Sequence, residues 1–209
     1  MTLYTPTKYK NTYNLMLVAH PDDELIFGGQ ELIENANYKV VCVSTDYNYR
    51  RRLEFELVMK RLGISDFELW EYEDRFHNPF SEDMVSDLET VIREKSWHKI
   101  VTHNPIGEYG HSHHRDLFLK VKSITEDFYV FCKEDQPIKP HILQRKRDLL
   151  NIYRSQKDVI KNMERYNKYY SRFINPKTDY IKHASISKYS PNLDITEYVN
   201  VRGRLPKGL

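Results

Sequence analysis

The sequence predicts an α/β fold: a Rossmann-like, doubly wound and mostly parallel sheet with helices on both faces. Three observations carry this. Short, nearly continuous apolar runs at Tyr13–Ala19, Tyr38–Thr45, Phe67–Tyr72, Lys99–Thr102 and Phe128–Cys132 suit strands buried on both faces. Segments with helical spacing separate them, and alternating strands and helices joined by right-handed crossovers make a parallel sheet. Polar clusters rich in His and Asp directly follow two of the strands, where open α/β sheets bind their ligands.

In chain order, the residues through Asn11 are polar and read as a terminal arm. The first strand ends in His20-Pro21-Asp22-Asp23-Glu24; Pro21 lacks an N–H, cannot extend the ladder and turns the chain outward. Leu25 to Asn35 is expected to be helical after Gly28-Gly29, a pair that permits close backbone approach near the site. The second strand ends at Asp46. Arg50–Leu62 carries Leu53, Leu57, Val58, Met59 and Leu62 at helical spacing and closes at Gly63, a C-terminal cap residue. Asp74 and Arg75 follow the third strand on the same rim as His20. Ser81–Trp97 opens with acids in its first turn and has Met84, Leu88, Val91 and Ile92 on one face, a helix. After the fourth strand and a histidine cluster, Leu117–Ile124 continues as helix. Pro137 and Pro140 mark a loop, Ile142–Tyr170 reads as one long charged helix, and the stretch from Pro176 has no assigned structure.

With strands two and three on one side of strand one and strand four on the other, strands one and four flank the switch point, and His20 faces His111 across it.

The 209 residues, 40% hydrophobic and 30% charged, fit one globular domain over 1–209. No signal-like start and no apolar run of membrane-spanning length is present, so a cytoplasmic protein without a membrane span is expected. Cys42 and Cys132 lack metal or redox spacing and are read as reduced core residues. The net charge of +2 hides a basic segment: Lys139 to Lys182 holds twelve Lys or Arg against four acidic residues. That is a solvated helix face or a contact for an anionic partner; nucleic acid is not expected.

The chemistry rests on two clusters. A neutral imidazole with a carboxylate is a zinc-type ligand pair, and a second carboxylate beside it can take a proton. His20, Asp22 and Asp23 provide these groups, although acids after a strand also serve merely as a helix N-cap. The second cluster is Glu108-Tyr109-Gly110-His111-Ser112-His113-His114. There His111 and His114, three apart, share one face of a helical turn while His113 points elsewhere.

These residues resemble the PIG-L/LmbE-type zinc de-N-acetylases, which deacetylate N-acetylglucosamine-containing substrates. The resemblance lies in Ala19-His20-Pro21-Asp22-Asp23-Glu24, His111 and His114 behind Tyr109-Gly110, Arg51 with Glu54 and Leu62-Gly63, and Tyr153 to Gln156 (YRSQ). It implies that His20, Asp23 and His114 hold Zn2+, with Fe2+ or Co2+ as other occupants of such a donor set. It implies further that Asp22 is the general base, that a protonated His111 stabilises the oxyanion or donates a proton, and that Tyr109 assists. Arg51 is expected to contact substrate, as are Asp74 and Arg75 by their place on the rim of His20. Many bacterial members read His-Pro-Asp-His where this chain reads His111-Ser112-His113-His114, so His113 and His114 compete as ligand and spacing favours His114. The implied reaction is hydrolysis of an N-acetylated amino sugar, with or without an anionic aglycone, and release of acetate. A non-catalytic carbohydrate- or anion-binding protein on the same fold is the alternative.

Overall fold

A computed structural model describes residues 14–45, 47–74, 78–133 and 137–174. The expected features at the opening arm and Tyr13, at Asp46, at Arg75 and beyond Pro176 lie outside the described residues.

The strands are β1 (Asn14–Val18), β2 (Tyr38–Cys42), β3 (Asp66–Leu69), β4 (Lys99–Thr102), β5 (Tyr129–Lys133) and β6 (Tyr170–Ile174). They form one sheet in the order β3-β2-β1-β4-β5-β6. The first five are parallel, and β6 pairs antiparallel with β5. The chain therefore runs outward from β1 to β3 and restarts at β4 on the other side. The switch point falls between β1 and β4, as the sequence order predicts.

Period-two alternation divides the strand side chains between two cores. Met16, Val18, Val40 and Cys42 face one layer. There they meet Leu25 of α1 (Asp23–Ile26), Leu32 of α2 (Gly29–Glu34), Phe55, Val58 and Met59 of α3 (Tyr49–Leu62), and later Leu149 and Leu150. Leu15, Leu17, Val41 and Val43 face the other layer, against Met84, Leu88, Val91 and Ile92 of α4 (Asp83–Arg93) and Leu117, Phe118 and Val121 of α6 (Ser112–Ile124). Because β1 is buried on both faces, its continuous apolar run is a consequence of its central place. Cys42 and Cys132 are both buried.

Two elements differ from expectation. The helix after His20 is split into α1 and α2 at Phe27-Gly28. The glycines serve packing: a Cβ on Gly28 would lie 2.6 Å from Cε of Met16, and one on Gly29 would lie 2.8 Å from Cε of Lys146.

The long helix over Ile142–Tyr170 is instead α7 (Pro140–Leu150), a 3-10 turn (Arg154–Gln156), α8 (Lys157–Asn162), α9 (Glu164–Tyr169) and then β6. Pro140 sits in the first turn of α7, where a missing N–H costs nothing. The break has a local cause. Tyr153 leaves helical geometry, and the amide and hydroxyl of Ser155 both bond to the Glu54 carboxylate, which competes with helix propagation. Among the described residues no helix is long and apolar enough to cross a membrane.

Lys146 of α7 is fully buried, its ammonium donating to the carbonyls of Ile26 at 2.9 Å and Asn167 at 2.7 Å. Burial, weakly opposed by Glu164, draws its pKa down to about 7. Between that value and the unfolded value of about 10.4 the unfolded chain binds the additional proton, so stability rises with pH through this window. Urea unfolding at about pH 7 and about pH 9 is expected to show this rise, and Lys146→Met is expected to remove its share. Equal pH dependence in the two proteins would refute it.

Candidate active site

The site forms where β1 and β4 end. The His20 amide donates to Asp23 Oδ2 at 2.9 Å, and the Asp23 amide donates back to the His20 carbonyl at 3.2 Å. Asp22 occupies the N-cap position of α1 with φ 107° and ψ −29°, a left-handed conformation that disfavours side chains, yet its side chain makes no capping bond. The simple capping role is thus not used, and the buried Asp22 Oδ2 makes no hydrogen bond.

What holds the strained residue is its surroundings. Its amide donates to Glu24 Oε2 at 2.9 Å, and the Tyr153 hydroxyl donates to Glu24 Oε1 at 2.7 Å. Arg51 of α3 donates to the Pro21 carbonyl at 3.2 Å and lies 3.9 Å from Asp22 Oδ2. Burial and the neighbouring Asp23 push Asp22 up to about 7, against the pull of Arg51 and two histidines. Burial also pushes Glu24 up to about 8. Asp23 goes the other way: burial opposes its ionisation, but His114, His103 and His20 outweigh it and hold Asp23 well below the carboxylate range.

The opposite wall comes from the loop after β4 and from α5 (Gly107–Gly110). The Asn104 side chain accepts from the amides of Ile106 and Glu108 and so folds the loop. Glu108, at φ 56° and buried, turns its carboxylate inward. Its Oε1 accepts from the Asn104 amide; its Oε2 lies 2.6 Å from His114 Nδ1 and 2.9 Å from His103 Nδ1. His103 Nε2 accepts the Ala19 amide at 3.0 Å, which fixes its proton on Nδ1. The other ring nitrogen of His114 makes no hydrogen bond and lies 3.2 Å from Asp23 Oδ2; His20 Nδ1 lies 3.3 Å from the same oxygen.

His111 precedes α6 in extended geometry and stacks on His114 with ring centroids 4.5 Å apart. The two therefore share a face, as their spacing predicts. Burial, with His114 and His20 close by, holds His111 at about 3, so the neutral ring is favoured where the sequence reading takes a protonated one. Tyr109 lies beside both histidines, its ring 5.7 Å from His111 and 5.5 Å from His114. Burial and nearby carboxylates push its phenol up, which keeps it protonated.

Asp74, beyond β3, has His113 Nδ1 2.8 Å from one oxygen and His20 Nε2 3.1 Å from the other. Burial opposes its ionisation, but the two histidines hold it well below its ordinary value.

A cavity of about 340 Å³ opens here, lined by every expected site residue among those described except the fully buried His114. Gln156, Val159, Asn162 and Met163 form its remaining wall with Ile26 and Phe27, and Arg51 is its one Lys or Arg among the described residues. The described basic side chains from Lys139 onward do not line it. His103, Glu108 and the Glu24–Tyr153 pair have no assigned role in the sequence reading; the place of His103 directly after a strand, like that of His20, is the signal that marks it. Three donor sets lie mutually within 4.8 Å: His20, His111 and His114; His20, Asp74 and His113; and Asp23, His103 and His114. The expected set of His20, Asp23 and His114 is not one of the three, but Asp23 Oδ2 links its two rings, 3.3 Å from His20 Nδ1 and 3.2 Å from His114 Nε2. Buried N/O donors with a ring nitrogen left unbonded suit a zinc-type ion.

Known proteins are similar to this chain in sequence or in fold. A protein of Acanthamoeba polyphaga mimivirus, named only as Uncharacterized protein L374, is 35% identical over 79% of this chain and 81% of its own. The N,N'-diacetylchitobiose deacetylase of Pyrococcus horikoshii superposes with a TM-score of 0.59 at 16% identity, covering 88% of each chain. The conserved protein TT1542 of Thermus thermophilus superposes at 0.62 with 14% identity, over 78% of this chain and 94% of that one. These two likenesses establish the Rossmann-like fold. The model of the PIG-L family, described as GlcNAc-PI de-N-acetylase, matches residues 15–125, more than half of the sequence and both polar clusters. The chain therefore belongs to the PIG-L de-N-acetylase family.

Proposed function

We propose that the protein is a metal-dependent de-N-acetylase acting on an N-acetylated amino sugar of the N-acetylglucosamine type and releasing acetate. The observation that carries this reading is the Asp22 carboxylate, its buried Oδ2 without a hydrogen bond, held in strained backbone at a cavity wall beside His20, Asp23 and His114. The names of the family and of the Pyrococcus protein support the sugar.

His20, Asp23 and His114 are the residues that would hold the ion, zinc before Fe2+ by their donor types. A divalent ion bound there supplies Lewis acidity, polarising the acetamide carbonyl and lowering the pKa of water to about 7.

The chain's own groups supply the rest. Asp22, raised towards neutrality, takes a proton from the attacking water and returns it to the departing amine. The neutral His111 ring and the protonated Tyr109 phenol can each donate a hydrogen bond to the developing oxyanion. Arg51 fixes the Pro21–Asp22 turn through the Pro21 carbonyl and presents the cavity's cation to an anionic portion of substrate. The apolar Val159 and Met163 offer a face to the sugar ring or its aglycone. A purely carbohydrate-binding protein has no use for a strained carboxylate with its oxygen left unbonded, which disfavours that alternative.

Asp22→Asn is expected to keep the fold, since Asn tolerates left-handed backbone, and to keep bound metal. Its turnover of an N-acetylglucosamine conjugate, followed as acetate release, should fall about a hundredfold or more. Undiminished release would refute the role. Glu108→Gln should weaken metal affinity about 10- to 100-fold, because His114 loses the charged partner that orients its ring; metal retention under chelator competition reads this directly, and an unchanged affinity would refute it.

A further inference from the structure

Two imidazoles converge on the Asp74 carboxylate. His113 is fully buried, stacked on Phe80 at a centroid distance of 4.5 Å, and its Nε2 lies 2.9 Å from the Asn78 carbonyl. A carbonyl only accepts, so Nε2 carries the proton of this contact and Nδ1 is the nitrogen turned to Asp74. That nitrogen meets a carboxylate oxygen at 2.8 Å, and His20 Nε2 meets the other oxygen at 3.1 Å.

A ring nitrogen and a carboxylate oxygen approach this closely only with a proton or a cation between them. A proton on the ring nitrogen would place the oxygen along the N–H direction. Neither His113 Nδ1 nor His20 Nε2 makes a hydrogen bond despite these distances, so the oxygens lie off that direction. Off-axis contact is what co-ligands of one ion show, each ligand pointing at the ion and not at its neighbour. The same pattern relates His114 Nε2 to Asp23.

We propose that His20 Nε2, Asp74 and His113 Nδ1 form a second divalent-cation position beside the one assigned to His20, Asp23 and His114. Two imidazoles and a carboxylate suit a borderline ion such as Zn2+ or Co2+, and their donor atoms fall mutually within 4.8 Å. The Asn78 carbonyl is the outer partner that fixes the His113 tautomer, the usual accompaniment of a ligating histidine. His20 would offer one ring nitrogen to each position, Nδ1 on the side of Asp23 and Nε2 on the side of Asp74. His113 thus has a use of its own next to His114.

This inference rests on the ligand reading of His20 given above, and the test separates the two. The full chain, stripped with chelator, is titrated with Co2+ and with Zn2+, and bound metal per chain is measured at saturation. Two equivalents are expected for the unaltered protein, the second weaker, and one each for Asp74→Asn and His113→Gln. The Asp74 variant covers the case in which altering the stacked His113 disturbs the start of α6. One equivalent in the unaltered protein, or two in both variants, overturns the second position alone. No bound metal in any form overturns both assignments.

Discussion

Four acids and four histidines, Asp22, Asp23, Glu24, Glu108, His20, His103, His113 and His114, are buried at one rim of this sheet, and the burial of so much charge is the constraint on which the site depends. An isolated ionised group taken out of water is costly, and it persists only when paired. The pairing here is serial. From Asn78, the order runs His113, Asp74, His20, Asp23, His114, Glu108, His103 and then the Ala19 amide, with an imidazole and a carboxylate alternating at 2.6 to 3.3 Å. Each carboxylate in it is held ionised by histidines on both sides. Asp22 stands outside the series and is pushed the opposite way. One environment thereby separates two adjacent aspartates into a fixed anion and a group able to exchange a proton near neutrality.

That separation needs the backbone to point Asp22 and Asp23 apart, and strain accomplishes it. Asp22 and Glu108, both non-glycine, have positive φ, one in the turn after β1 and the other in the loop after β4. Such residues cost on the order of 1–3 kcal/mol each and persist only where their surroundings over-determine them. The Glu24, Tyr153 and Arg51 contacts do this for Asp22. For Glu108, the Asn104 side chain does so, together with both imidazoles on its carboxylate.

The parts of this arrangement that follow from local pattern are legible in the sequence. The apolar run of β1 announces a central strand because both its faces are buried, and the order of strands places His20 and His111 at one switch point. The spacing of His111 and His114 predicts their shared face. What is not legible depends on contacts between distant segments. Glu108 gives no periodic signal, since its place at the site comes from an inward turn at an unusual φ. Nor can a sequence tell that His113 has its second nitrogen fixed by Asn78, 35 residues earlier. The broken helix after Leu150 escapes the sequence for a related reason: its charged, helical pattern is real, but Ser155 and Tyr153 are claimed by Glu54 and Glu24.

The break also shapes the cavity. An unbroken helix would advance 1.5 Å per residue along one axis and carry the residues after Leu150 away from α7. Instead the 3-10 turn folds the chain back over α3, where Glu54 receives Ser155, and the following turn brings Gln156, Val159, Asn162 and Met163 over the mouth of β1. The same turn brings Tyr153, fully packed in the core, to Glu24 and so to the amide of Asp22. A segment 129 residues from the His20 turn thus both walls the cavity and steadies its strained carboxylate. The Tyr153 to Gln156 stretch belongs to the site for this reason, although none of its residues except Gln156 lines the cavity.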